Sequence, residues 1–214
     1  MVRAGLTKDA VVRAAADLAD RDGLEAVTLS ALARRFGVTT AGMYSHVAGL
    51  GDLLDRLSAF CLEESADLLA AAIAGRAGPD AVAALARVYR DYARAHPGRY
   101  AATRRPALPD GHAIPAGRRH ADLARAALRQ YGLDATREVH AVRLLGSTIH
   151  GFISLEGSGA FAHSRPSASA SWNAILDALA ATIAGWSPID DETPPRSVRA
   201  PAGRRPSADM GGET

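Results

Sequence analysis

Apolar residues recur at helical spacing through most of the chain. Leu29, Leu32, Ala33 and Phe36 stand at i, i+3, i+4 and i+7, which is one face of a helix. Thr28 precedes them as an N-cap whose hydroxyl can accept a first-turn N–H. Val27 and Leu32 occupy the hydrophobic-staple positions around it. The same start signal occurs twice more, with Leu6 and Val11 around Thr7 and with Val38 and Met43 around Thr39. Three consecutive helices are therefore expected, over 6–22, 28–36 and 40–47. Gly37 suits the left-handed residue that ends the second. The first, with Val11, Ala15, Leu18 and Ala19 as its buried stripe, packs across the other two.

After a turn at Ala48–Gly49, a long helix is expected over 50–74, carried by Leu53, Leu54, Leu57, Phe60, Cys61, Leu68, Leu69 and Ile73. Further helical patterns cover 80–95, a short piece over 99–105, then 116–131, 135–156 and 167–186. His96-Pro97-Gly98 reads as a break and 106–115 as a loop. The helix over 135–156 is apolar on more than one face, through residues such as Val139, Val142, Leu145, Phe152 and Leu155, so it is buried on several sides. From Ser187 the composition turns to Pro, Gly, Arg, Ser and acids, and 187–214 reads as a disordered tail. The expected fold is all-α with about nine helices. A three-helix head over 6–50, whose linking helix continues to about 66, joins a helical body over 51–186.

Composition agrees with helices. Of the 214 residues, 48 % are hydrophobic and only 5 % aromatic, and alanine dominates the apolar set. Cys61 is the single cysteine, so no intramolecular disulfide is possible and a reducing cytoplasm fits. No apolar run approaches the length of a membrane span, so a soluble cytoplasmic protein without membrane partners is expected. The formal net charge of +2 is too small to argue for a polyanionic partner by itself. Its distribution says more. No acidic residue occurs from Ala26 through Gly51, while Arg34, Arg35 and His46 lie inside that window. A short, acid-free, outward-facing helix held by another suits insertion into a DNA major groove.

The stretch Gly37-Val38-Thr39-Thr40-Ala41-Gly42-Met43-Tyr44-Ser45-His46-Val47, followed by Leu53-Leu54, resembles the head of the TetR family of bacterial transcriptional regulators. The resemblance extends from Leu6 to about Ala66. A second one, at Ile149-His150-Gly151-Phe152, is to the family's class with a His-Gly pair in the eighth helix. By that resemblance Thr28, Thr39, Tyr44 and His46 contact DNA phosphates, while Ser30, Thr40, Ala41, Gly42 and Ser45 face base edges. Tyr44 and His46 could also serve as packing residues. The family's lysine after the recognition helix is absent, since Ala48 and Leu50 stand there. Arg34, Arg35 or Arg3 would have to replace that phosphate contact.

The resemblance implies a homodimer on a palindromic operator, released by a small organic effector. The excess apolar surface of 135–156 and 167–186 nominates Ile149, Ile153, Trp172, Ile175, Leu179 and Ile183 for a four-helix dimer interface, although the same residues could be intramolecular core. Candidate polar groups for an effector pocket are Tyr89, Tyr92, Tyr100, His140, Arg143 and His150. Catalytic signatures such as H-E-x-x-H, G-x-S-x-G and a phosphate loop are absent from the sequence, so no enzyme is expected. His112 and His120 are separated and Cys61 stands alone, so neither a metal nor a cofactor is expected.

Overall fold

The computed structural model describes residues 6–186, and the tail expected over 187–214 lies outside them. The described residues form nine α-helices: α1 Lys8–Asp22, α2 Leu29–Phe36, α3 Thr40–Met43, α4 Leu50–Ile73, α5 Gly78–Ala95, α6 Pro97–Thr103, α7 Ala113–Leu128, α8 Ala135–Gly157 and α9 Ala168–Ala184. The first three begin where their threonines predict. The hydroxyl oxygens of Thr7, Thr28 and Thr39 accept the N–H of Ala10, Ala31 and Gly42, each at 3.1 Å. Gly37 closes α2 in the left-handed conformation, φ 66°.

Three helices start earlier than expected, for one reason. Proline is tolerated in a first helical turn, where its missing N–H would be unpaired anyway. Pro79, Pro97 and Pro115 accordingly sit inside the first turns of α5, α6 and α7, instead of preceding them. A further difference is at the end of α3. Regular helix ends at Met43, and the chain continues through i→i+3 bonds such as Tyr44 N–H to Ala41 O and His46 N–H to Met43 O. Val38, expected to staple onto Met43, is instead 40 % exposed.

The helix α4 joins two cores. Its N-terminal half buries Leu53, Leu54, Leu57 and Cys61 against Val11, Ala15, Leu18, Leu32 and Met43 of α1–α3. Farther along, Leu69 enters a second core with Val82, Leu85, Leu128, Leu145, Ile149, Phe152, Trp172 and Ile183 from α5, α7, α8 and α9. Each such fully buried side chain stabilises the fold by roughly 1.5–3 kcal/mol. Leu68, assigned to the buried pattern, faces outward. A buried cation pins the second core. Arg90 makes a two-pronged pair with Glu156, at 2.9 and 2.6 Å, and lies over the rings of Phe152 and Trp172. Hydrogen bonds from Arg90 hold the Glu156 carboxyl below the usual range, against its partial burial.

The first core also takes in Ala102 of α6. This short helix lies so close to α1 that a Cβ at Gly98 would overlap the backbone of Ala19 and Asp20. Glycine is needed here for close approach, not for its backbone angles. Gly98→Ala should therefore force α6 off α1 and cost on the order of 1–3 kcal/mol, read as a lower urea midpoint. An unchanged midpoint would show that the contact can relax.

Candidate functional site

The first candidate surface is the outer side of α2 and α3. Leu29, Leu32, Ala33 and Met43 turn inward. Ser30, Thr39, Thr40, Ala41, Gly42 and Ser45 are exposed, Tyr44 is 58 % exposed, and Thr28 and His46 are half-buried. All nine residues singled out for DNA contact are thus exposed or half-buried. Capping uses a lone pair of Thr28 and Thr39, which leaves the Thr39 O–H proton free to donate, while the Thr28 hydroxyl also shares a 3.2 Å hydrogen bond with Ser30 Oγ. Ser45 spends its proton on Gly42 O at 2.7 Å, so its oxygen is left as an acceptor. Nothing inside the protein demands glycine at 42, since an added methyl would meet only Thr39 Oγ1 at 3.5 Å and Val38 Cβ at 3.9 Å.

The electrostatics of this face follow from pairing. Arg35 is held by Asp17 at 3.1 Å, whereas Arg34 has no ion pair among the described residues. Arg3 lies outside them. The first carboxylate beyond the acid-free window, Asp52, accepts the Ala48 N–H at 2.9 Å and pairs with Arg56 at 2.9 Å. Its charge is therefore engaged before it can oppose a polyanion.

Behind the head, α6 has two working faces. On the first, the Asp20 carboxylate of α1 accepts the backbone N–H of Arg99 at 2.9 Å and lies 2.9 Å from His96 Nδ1. It thereby caps the first turn of α6, whose N-cap residue His96 makes no side-chain cap of its own. Arg99 Nε is also 2.9 Å from Asp20 Oδ2, without the alignment of a hydrogen bond. The rest of the guanidinium reaches Glu64 of α4 at 2.9 Å and Asp17 of α1 at 3.2 Å. Tyr92 OH completes the cluster by donating to Glu64 Oε2 at 2.7 Å.

On its other face, α6 borders a cavity of about 850 Å³ between α5, α7 and α8. Leu85, Ala124, Val142, Leu145, Ile149 and Ile153 supply apolar wall, while Tyr89, Tyr100, His120, Arg143, His150 and Arg104 supply polar groups. Two phenol–imidazole pairs cross it. Tyr89 OH lies 2.7 Å from His120 Nδ1, and Tyr100 OH lies 2.6 Å from His150 Nδ1. The His120 tautomer is determined by its neighbours. Ser65 Oγ gives its proton to Cys61 O, so His120 Nε2 must carry the proton donated to Leu62 O at 2.8 Å. Its Nδ1 is then the acceptor for Tyr89. Burial lowers the pKa of His120, and burial with the nearby Arg104 charge lowers that of His150 to about 3. Both imidazoles are neutral near pH 7. Burial also pushes the Tyr100 phenol up to about 12, so it stays protonated and donates to His150. That leaves His150 Nε2–H as a donor with no partner among the described residues.

Four of the six nominated pocket residues, Tyr89, Tyr100, Arg143 and His150, line this cavity. Two do not. Tyr92 is turned to the α4 side and spent on Glu64, and His140 is on the exposed side of α8. His120 and Arg104 were missed. His120 had a signal, since it shares a stripe with Ala116, Ala124 and Ala127 of α7, where an imidazole among alanines marks a buried polar group. Arg104, just past α6, had none.

The nominated dimer residues lie mostly inside this chain, as the alternative reading had it. Ile149, Ile153, Trp172, Leu179 and Ile183 are buried within this chain's second core, and Ile175 packs at its edge. The excess apolar surface of α8 and α9 is consumed by α5 and α7. What α8 and α9 leave outward is Val139, Leu155 and an alanine-rich face of α9 containing Ala170, Ala174, Ala178 and Ala181.

Comparison with known proteins places this architecture. The family model for a tetracyclin repressor-like C-terminal domain matches residues 82–179. An HTH-type transcriptional regulator of Mycobacterium tuberculosis is 37 % identical over 158 residues, covering 73 % of this chain and 72 % of the relative. Another, from Bacillus subtilis, is 30 % identical over 159 residues, covering 74 % of this chain and 83 % of the relative. The fold is shared with ActR, a TetR family protein of Streptomyces coelicolor solved in complex with (S)-DNPA. That match has a TM-score of 0.62 at 20 % identity and covers 84 % of this chain and 98 % of ActR. With its capped helix-turn-helix head and helical body, this chain belongs to the TetR family of transcriptional regulators.

Proposed function

We propose that the chain is a homodimeric repressor that grips a palindromic operator through α2 and α3 and lets go when a small organic molecule fills the cavity beside α6. The observation that carries this reading is the position of α6. One face is bonded to the head through Asp20 and Arg99, and the opposite face, with Pro97, Tyr100 and Ala101, is cavity wall. A ligand that prefers one position of α6 must also prefer one orientation of the head. Operator and effector then oppose each other through a shared equilibrium, with a coupling typically of about 1–3 kcal/mol. The protein would act in the cytoplasm, where its DNA is, and no catalytic step is assigned to it.

Within the head, Thr28, Thr39, Tyr44 and His46 are proposed to touch phosphates. Ser30, Thr40, Ala41, Gly42 and Ser45 are proposed to face bases, with Thr40 and Ser45 supplying hydrogen bonds and Ala41 and Gly42 permitting close approach. Arg34 is the available replacement for the missing lysine. Self-association is proposed on the outward face of α8 and α9. In α9, Asp177 is the only charged residue of the 17, which is the charge depletion that interface cores show.

Selection of random duplexes on the purified chain should return a palindrome whose half-sites lie about one helical turn apart, roughly 34–36 Å. Enrichment of no sequence over random DNA at physiological salt would refute the reading. On the selected duplex, Thr40→Val should weaken binding by about 1–3 kcal/mol with the melting temperature unchanged. Gly42→Ala should do likewise while leaving the fold intact, and full affinity in both variants would remove α3 from the groove. Asp20→Asn should still bind the duplex and any compound that releases it from the natural chain. In that variant, however, the compound should no longer cause release. Undiminished release would mean that coupling runs elsewhere.

A further inference from the structure

The cavity beside α6 does not end at the main chamber. A second lobe of about 480 Å³ continues from it, sharing Tyr89, Arg104, His120, Ala121 and His150 with the first. This outer lobe adds Arg105 and Arg118 to its walls. The two lobes together are thus bordered by Arg104, Arg105, Arg118 and Arg143, and by no Asp or Glu among the described residues.

These guanidinium groups are left unpaired beside helices rich in carboxylates. Arg90, Arg94, Arg99, Arg119, Arg125 and Arg137 each reach one. The four at the cavity make no ion pair or hydrogen bond among the described residues. The charge of Arg104 is felt inside. It acts on Tyr89, Tyr100 and His150, in each case against positive charge or toward the deprotonated form. The uncharged polar groups point the same way. A guanidinium can only donate, and neutral His150 has a free Nε2–H. The site is therefore rich in donors and poor in acceptors around an apolar chamber.

We infer that the effector is an amphiphilic organic anion, with an apolar body in the chamber lined by Leu85, Val142, Leu145 and Ile153 and an acidic group held by Arg104 at the junction of the two lobes. The inference rests on the cavity being the effector site, and it adds the chemical class. Arg104, Arg105, Arg118 and Arg143 are exposed at the rim, where an amine would meet like charge and a neutral oil would gain nothing from them. A carboxylate, sulfonate or phosphate would receive charge-assisted hydrogen bonds from Arg104 and His150.

Two fluorescent probes with one shared body test this. The sulfonate 8-anilino-1-naphthalenesulfonate and the neutral N-phenyl-1-naphthylamine differ in the anionic group alone. On the full chain the sulfonate should bind about tenfold more tightly. Arg104→Gln should erase most of that advantage and leave the neutral probe within about twofold. Gly146→Leu, which adds bulk where a side chain meets open space, should exclude both probes without lowering the melting temperature. Sulfate at tens of millimolar should not displace the bound sulfonate, because the ion lacks the body. Displacement by sulfate would mean that any anion suffices and would overturn the amphiphile. If both probes bind equally and both are excluded by Gly146→Leu, the anionic class is wrong while the cavity reading stands. If Gly146→Leu changes neither, the cavity is not the site and both readings fall.

Discussion

The carboxylate of Asp20 ties α6 to α1, a second link between head and body beside the continuous α4 that joins their cores. It stands in the last turn of α1 and at the same time caps α6, a seven-residue helix too short to persist alone. Without a side-chain cap of its own, α6 takes its position from what touches it. Asp20, Asp17 and Glu64 hold its Arg99, and Gly98 lets the two backbones meet. Arg99 and Asp20 are less than one-fifth exposed, so water screens the pair only partly. Removing one partner from such a cluster leaves the other charge partly buried without compensation.

From this constraint the division of labour follows. The head's outward face is built by α2 and α3, over a core that also takes in α4 and Ala102 of α6. On the proposed reading, what α6 adds is an angle. The cavity, in turn, has a rigid floor and a conditional wall. Its floor is α8, tied to α5 and α9 by Arg90 and Glu156. Its conditional wall is α6, tied to α8 across the cavity by the Tyr100–His150 contact. On the proposed reading, a molecule entering between Tyr100 and His150 acts on the contact that positions α6 against the head.

Much of this was legible in the sequence, and the reasons differ by element. Thr7, Thr28, Thr39 and Gly37 act through bonds within one helical turn, so local spacing sufficed to place α1 and α2 and to start α3. The end of α3 was overestimated, because Tyr44 to His46 keep turn-like bonds that spacing does not distinguish from helix. The cavity was half legible. Tyr89, Tyr100, Arg143 and His150 stood out as polar groups in apolar helices, but Tyr92 did so equally and is used on Glu64. The partner of a hydroxyl is set by helix packing, which periodicity does not encode. The interface residues show the same limit from the other side. Trp172 and Ile183 were correctly read as buried, and only the three-dimensional arrangement tells that the burying surface is their own chain. Asp20 and Arg99, 79 residues apart, carry no mark in sequence at all.

The most direct test of the central claim is a distance distribution between head and body within one protomer. Dyes attached at Lys8→Cys and Arg129→Cys, both exposed positions, report it by single-molecule energy transfer, with labelled chains diluted into unlabelled ones. Cys61 will not compete for label, since it is buried and burial pushes its thiol up to about 12. If the α1–α6 junction sets the head's angle, the natural chain gives one narrow distribution and Arg99→Gln broadens or splits it while each core stays folded. Equal widths in the two proteins would contradict the account.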